Sequence, residues 1–258
     1  MDSGQHPGIA LKQSDIGFQQ NLYIDPNPTR RWLHNVRREW VLGKLDHYAF
    51  SASDKIIEVG VGCGVFTRHL SARGHRIWAV DINMEFLKPV LMLPGVSICH
   101  QDATKGLLVS GYDMALCSEV IEHVPRNRSE LLLRGIYNSL RPGGVLILST
   151  PQSFSTVEMA ARLLRFKLVL AIARRLYGQV DDLGHINLLT CDALKRQIAR
   201  TGFHVLEETR LGLYLPLLAE TRSNISLRIA KFMERYLRSV PLLSGLLWTQ
   251  CYVLQKPA

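Results

Sequence analysis

Between residues 55 and 151, short apolar runs rich in β-branched residues alternate with amphipathic segments. KIIEVG, RIWAVD, VSICHQD, YDMALCSE and VLILSTP are the apolar runs. VFTRHLSARG, NMEFLKPVLM and RSELLLRGIYNSLRPGG lie between them at helical spacing, the last stopped by Pro and two glycines. Near-continuous apolar strands separated by helices predict a parallel sheet covered on both faces. Upstream, Trp32, Leu33, Val36, Trp40 and Leu45 recur at helical spacing in NPTRRWLHNVRREWVLGKLDHY, with Pro28 suited to the first turn. Residues 1–22 show no period and read as a flexible lead or a lid.

After Pro151 the rhythm breaks. Residues 154–178 form an apolar and basic segment with helical character. TCDALKRQIARTGF resumes the pattern, with Asp192 near a helix start and Gly202 at its end. HVLEETRLG is a sixth strand, residues 213–245 a long helical stretch, and WTQCYVLQKP a last strand. The expectation is an α/β, seven-stranded, Rossmann-like doubly wound sheet. It is mostly parallel, with an antiparallel edge hairpin and helical insertions. One domain over 1–258 accommodates this, divided into an N-terminal lid and helix (1–50), a core (51–151), a helical insert (152–182) and a C-terminal half (183–258) carrying an amphipathic helix.

Composition narrows the class. The 258 residues are 47% hydrophobic and 21% charged, ordinary for a globular chain with a sizeable core. Cys63, Cys99, Cys117, Cys191 and Cys251 are scattered without a CxxC pair, which predicts reduced thiols and a cytoplasmic setting. Neither a secretory leader nor an uncharged apolar run of spanning length is visible. The net charge of +9 is concentrated in residues 30–44, 154–176 and 222–238, each with five basic residues and one acid. A basic periphery suits an anionic substrate, an anionic membrane surface or nucleic acid, and it equally suits solvated helix faces.

Chemistry is concentrated in IIEVGVGCGVF, an E-x-G-x-G-x-G sequence of Glu58, Gly60, Gly62 and Gly64 between the first strand and first helix. Glycines there let the backbone turn and approach a ligand, and the strand end, loop and helix start form a nucleotide-binding crevice. The spacing differs from the dinucleotide fingerprint. A carboxylate two residues before the first glycine suits a ligand with an ammonium group better than a phosphate. Asp81 ends the second strand and can accept from both ribose hydroxyls; Asp102 follows the third strand in HQDAT. Any one of these acids alone reads as a cap or a surface residue. Three at consecutive strand ends beside a glycine loop make a binding constellation.

This constellation resembles class I S-adenosylmethionine-dependent methyltransferases over residues 55–151, and more loosely to the end. EVGVGCG is similar to their first motif, VD to the ribose acid, QDAT to the adenine motif and LRPGGVLILSTP to the helix-to-fifth-strand signature. CSEVIEHVP and NPTRR resemble the E-x-x-E-H-V-P and N-P-x-R of ubiquinone-biosynthesis O-methyltransferases within the methyltransferase type 11 group. The resemblance implies S-adenosyl-L-methionine as cofactor. It would be held by Arg30, Glu58, Gly60, Gly62, Gly64, Asp81, Ile82, Asp102, Ala103, Cys117 and Glu119. It further implies methyl transfer to an oxygen of an apolar or lipid-like small molecule. The quinone-type relatives place a membrane-associating insert where residues 154–178 fall. Similarity to small-RNA 2′-O-methyltransferases keeps open an RNA substrate and a divalent metal (Mg, Mn or Zn). A non-catalytic cofactor-binding module is the third reading.

A helix starting near Ser118 would set Glu119 one turn from Glu122 and His123, so that all three converge. With His185 from DDLGHINLLT they could hold the metal. Without it, Glu122, His123 and His185 are the candidates for acid–base chemistry. Alternatively, Ser118 is a cap and the segment is structural. In residues 225–240, Ile225, Ile229, Phe232, Met233, Tyr236 and Val240 form an apolar face, and Arg228, Lys231, Arg235 and Arg238 a basic one. Such a helix is expected first to dock its apolar face on its own domain, then to lie on an anionic membrane, and lastly to contact nucleic acid. Arg162, Arg165, Lys167, Arg174 and Arg175 are spread around the insert, which reads as a lid over an apolar substrate.

Overall fold

A computed structural model of the chain describes residues 14–49, 51, 53–163, 186–219 and 221–258. Seven strands form one sheet: β1 (Lys55–Val59), β2 (Arg76–Asp81), β3 (Val96–His100), β4 (Tyr112–Ser118), β5 (Leu140–Pro151), β6 (His204–Leu211) and β7 (Thr249–Gln255). Their order is β3-β2-β1-β4-β5-β7-β6. The pairs from β3 through β5 are parallel, and β7 runs antiparallel to both of its neighbours.

Helices cover both faces because the central strands are apolar on both. Ile57, Val59, Ala115, Cys117 and Leu146 pack with Leu132 and Ile136 of α5 (Ser129–Ser139) and Leu194 and Ile198 of α7 (Cys191–Thr201). On the other face, Ile56, Ala79, Leu116 and Ile147 pack with Val41 and Leu45 of α2 (Pro28–Tyr48) and Phe66 and Leu70 of α3 (Val65–Ala72). Each large apolar side chain buried this way contributes about 1.5–3 kcal/mol.

Local signals set the helix ends. Asn27 caps α2, its Oδ1 accepting from Thr29 N at 3.0 Å and Arg30 N at 3.3 Å, with Pro28 in the first turn. Thr190 caps α7, and Gly202 at φ 92° ends it.

Several segments differ from the pattern read in the sequence. β5 begins at Leu140, so Pro142, Gly143 and Gly144 lie within the strand; the pairing with β4 shifts between Tyr112 and Met114 to absorb them. The expected helix of residues 83–92 is only α4 (Met84–Leu87) and a 3₁₀ turn, Lys88–Val90, containing Pro89. Residues 14–22, read as lead or lid, contain α1 (Ser14–Leu22). The stretch 213–245 is divided: α8 (Pro216–Ala219) and α9 (Asn224–Ser239) flank a turn in which Arg222 has φ 53°. α6 (Thr156–Leu163) opens the expected insert; most of that insert, including Arg165, Lys167, Arg174 and Arg175, lies outside the described residues.

Only part of the apolar face expected on α9 is docked: Met233 packs with Leu213, Leu237 and Leu247. Ser226, Ala230, Glu234 and Leu237 are buried, whereas Ile225, Ile229, Phe232 and Tyr236 are exposed. α9 lies against α2, and small side chains at 226 and 230 let two helices approach closely. Among the described residues no helix is long and apolar enough to cross a membrane.

Candidate functional site

The glycine loop leaves β1 at the C-terminal edge of the parallel strands, where open α/β sheets bind ligands. Gly60 and Gly62 have φ of 81° and 53°, a region that side-chain-bearing residues avoid. A methyl at Gly60 would run into Cγ2 of Val120, so this backbone is pressed against the segment after β4. A methyl at Gly62 would lie 2.8 Å from Oε1 of Gln19, which places α1 across the loop. Gly64, at φ 74°, opens α3.

Glu58 lies beneath this loop. Strand alternation puts it on the same face as Ile56, and it is fully buried. Its Oε2 accepts from Thr67 Oγ1 of α3 at 2.6 Å, while Oε1 is buried without a partner. Burial pushes the carboxyl up to about 8, against the Thr67 hydrogen bond and helped by the nearby Asp81 charge. Glu58 therefore braces β1 to α3.

Asp81 ends β2 and joins the loop to the next turn. Its Oδ2 accepts from Val61 N at 2.9 Å and its Oδ1 from Asn83 N at 2.8 Å. Burial raises its pKa, opposed by these backbone donors. Gly62 N is a third backbone donor to this carboxylate; with about four acceptor positions, capacity remains for at least one ligand hydroxyl. Ile82, next along, is 68% exposed and Ala103 is buried. Asp102 caps a short turn, where its Oδ1 accepts from Thr104 N at 3.0 Å and Thr104 Oγ1 at 2.7 Å. Its Oδ2 lies 3.8 Å from Arg128 Nη1.

The segment after β4 does not form the expected helix. β4 pairs with β5 out to Ser118 opposite Ser149, and Glu119 N then donates to Ser149 O at 2.9 Å. Glu119 takes a left-handed conformation, φ 57°, and a 3₁₀ turn, Ile121–His123, follows. The three side chains consequently do not gather at one point, although the two carboxylates remain close enough to interact. The Glu119 carboxylate pairs with Arg37 Nη1 at 2.6 Å. Glu122 is fully buried, with Oε2 accepting from Thr150 Oγ1 at 2.9 Å and Oε1 unpartnered. Burial, then the charge of Glu119, pushes the Glu122 carboxyl well above its usual range. Its backbone oxygen accepts from Ile186 N and Asn187 N, both at 3.0 Å, which ties the start of the 186–189 segment to the 3₁₀ turn after β4. His123 is exposed. The Cys117 thiol is in the core, where burial pushes it up, so no side-chain atom of Cys117 reaches solvent.

This geometry corrects the convergent reading of Glu119, Glu122 and His123. Among the described residues no three His, Cys, Asp or Glu side chains are grouped to hold a metal. The Glu119 carboxylate already has a guanidinium partner, so the described members of the expected donor set do not fit a divalent ion. His185, the fourth expected ligand, lies outside the described residues.

Arg37 is the site residue that the apolar pattern concealed. Thr29, Leu33, Arg37, Val41 and Leu45 are the buried residues of α2, four apart throughout. A guanidinium in the middle of a core-facing stripe needs an anion, and Glu119 is that anion. Arg30, two turns earlier, is half-buried in the first turn of α2. Arg37 also depresses His34, whose pKa falls to about 3, chiefly through burial and then through the charges of Arg37 and Arg30. Thr67 and Thr150 were equally unmarked in the sequence, because a threonine carries no pattern until its acid is buried beside it.

A methyltransferase domain family matches residues 29–208. Among curated proteins, the chain is similar to a ubiquinone biosynthesis O-methyltransferase of Rickettsia canadensis, 32% identical over 124 residues covering 46% of this chain and 52% of the relative. A second such enzyme, from Aeromonas salmonicida, is 29% identical over 46% of this chain and 50% of its own. The chain thus spans about half the length of the curated relatives it matches. Among solved structures, the N-methyltransferase NodS of Bradyrhizobium japonicum, in complex with S-adenosyl-L-homocysteine, is similar with a TM-score of 0.59. It is 13% identical, with 95% of this chain and 96% of that one covered. With the glycine loop, the Asp81 turn and the five parallel strands β1–β5 all inside the matched span, the chain belongs to the methyltransferase domain family.

Proposed function

We propose that the chain uses S-adenosylmethionine to methylate an oxygen of an apolar, lipid-like small molecule. The observation that supports this most is the Asp81 turn. One carboxylate clamps the glycine loop through Val61 N, keeps unused acceptor capacity and stands next to the exposed side chain of Ile82. That combination suits a ribose beside a flat apolar ring. When bound, the cofactor supplies a methyl group on a positively charged sulfur.

The chain's own residues would do the rest. Asp81 accepts from a ribose hydroxyl, while Ile82, Ala103 and Asp102 bound the adenine. Arg30 faces the cofactor's carboxylate. Glu58, neutral and tied to Thr67, holds the loop in place. His123, exposed and next in sequence to the buried Glu122, accepts the proton of the acceptor hydroxyl. Glu122 positions His123 by fixing the turn that carries it. Oxygen as the acceptor atom is supported by the similarity to ubiquinone biosynthesis O-methyltransferases. An apolar acceptor is supported by Phe154 and Met159, both exposed just beyond the C-terminal end of β5.

Calorimetric titration of S-adenosylhomocysteine into the protein and into Asp81→Ala tests the cofactor reading. Binding is expected for the parent and a loss of about tenfold or more for the variant. Transfer of a labelled methyl group to a panel of alkylated phenols and catechols, with RNA as competitor, tests the acceptor. An inert parent in the titration sinks the whole reading, and inhibition by RNA with no phenol methylated sinks the acceptor class.

A further inference from the structure

α9 shows the solvent an apolar stripe that the other described residues leave uncovered. Ile225 is 69% exposed, Ile229 41%, Phe232 74% and Tyr236 61%, at i, i+4, i+7 and i+11, one continuous line along the helix. Leu242, 93% exposed, extends the apolar surface just beyond the helix end. Four large side chains in one row differ from scattered surface hydrophobics and mark an interaction surface.

Charge decides what covers it. Arg228, Lys231, Arg235 and Arg238 run along the helix beside this row, all exposed. The only acid among residues 224–239 is Glu234, which faces inward and is buried. Arg238 lies 3.9 Å from Glu234, but a second copy of the chain would still bring Arg228, Lys231 and Arg235 against their own counterparts, with no exposed acid on either helix to offset them. Nucleic acid would satisfy the cations but leave the isoleucines without a partner. An anionic lipid surface satisfies both, since headgroups pair with the arginines and lysine while the row enters the acyl boundary.

We propose that α9 is an interfacial membrane-binding helix selective for anionic phospholipid. The docked residues Ser226, Ala230, Glu234 and Leu237 hold it on the domain while Phe232 and its neighbours in the row enter the bilayer surface. This use of α9 is independent of the reaction the protein carries out.

Vesicle flotation of the full chain tests it, comparing phosphatidylcholine vesicles with vesicles that also carry phosphatidylglycerol. The parent is expected to float with the second set, and less so as salt rises. Phe232→Ser should weaken that partitioning by about tenfold, since it removes one large inserted side chain. Arg228→Glu with Lys231→Glu should weaken it at least as much. All three side chains are exposed, so the thermal midpoint should be unchanged in both variants. Failure of the parent to float with anionic vesicles overturns the proposal. So does flotation that Phe232→Ser leaves unaltered, or a dimer, seen by light scattering, that Phe232→Ser abolishes without changing flotation.

Discussion

Arg37 Nη1 and Glu119 Oε2 are 2.6 Å apart, which joins the middle of α2 to the residue that leaves β4. Both side chains are largely out of solvent, so the pair is held as a unit. Removing the cation alone leaves a carboxylate stranded beside the buried Glu122, and Arg37→Met should lower unfolding stability by about 3 kcal/mol. Adding Glu119→Gln should recover about half of that loss. Urea denaturation of the two single variants and the double variant measures this; additive losses would show that the two residues do not act together.

The raised carboxyl of Glu58 makes stability depend on pH in a direction opposite to that of a salt-bridged acid. Between the ordinary carboxylate value of 4.5 and about 8, the folded protein holds a proton that the unfolded chain releases. The Glu58 contribution is therefore complete below pH 4.5, declines as pH rises and levels off above 8, with a slope of up to roughly 1.4 kcal/mol per pH unit. Glu122 is shifted the same way and adds to the slope. Glu58→Gln should flatten the profile. Unfolding midpoints at mildly acidic and mildly alkaline pH compare the two proteins, and equal slopes would count against a buried, protonated Glu58.

At Gly60 two costs can be separated. Alanine there meets a positive φ, at about 1–2 kcal/mol, and also runs into Val120. Gly60→Ala should lower both the melting temperature and the affinity for S-adenosylhomocysteine. Val120→Ala added to it should restore part of each, because it removes the clash and leaves the backbone strain. A double variant no better than Gly60→Ala would mean that the contact with Val120 is immaterial.

His123 is exposed, so replacing it should not disturb the fold. His123→Gln should lower turnover about a hundredfold at unchanged S-adenosylhomocysteine affinity, as expected for loss of a proton acceptor. Turnover equal to that of the parent would remove His123 from the chemistry.

The sheet was legible in the sequence because apolar strands and capped helices are local signals. KIIEVG and RIWAVD show their burial on both faces in their own composition, and NPTRR shows its cap and its Pro. The Glu119 turn was not legible. SEVIEH has helical spacing, but the pairing of Ser118 with Ser149, 31 residues away, holds the chain extended one residue too far for a helix to start. Asp81 and Asp102 were found by position at strand ends. Arg37 was hidden by the assumption that a charged residue lies off the apolar stripe. α9 misled for a related reason: the periodicity identified the apolar face, but the close approach of α2 favoured the small-residue face, so that only part of the apolar face is docked.

β7 follows β6 in sequence yet lies between it and β5. During synthesis, therefore, β6 emerges with no strand to join, and the outer edge of β5 stays open until Thr249–Gln255 has left the ribosome. Both edges could pair with another nascent chain in that interval. Slow synthesis after β5 would prolong that adhesive state, so the yield of native enzyme should depend on translation speed beyond Pro151 and on chaperones that shield strand edges.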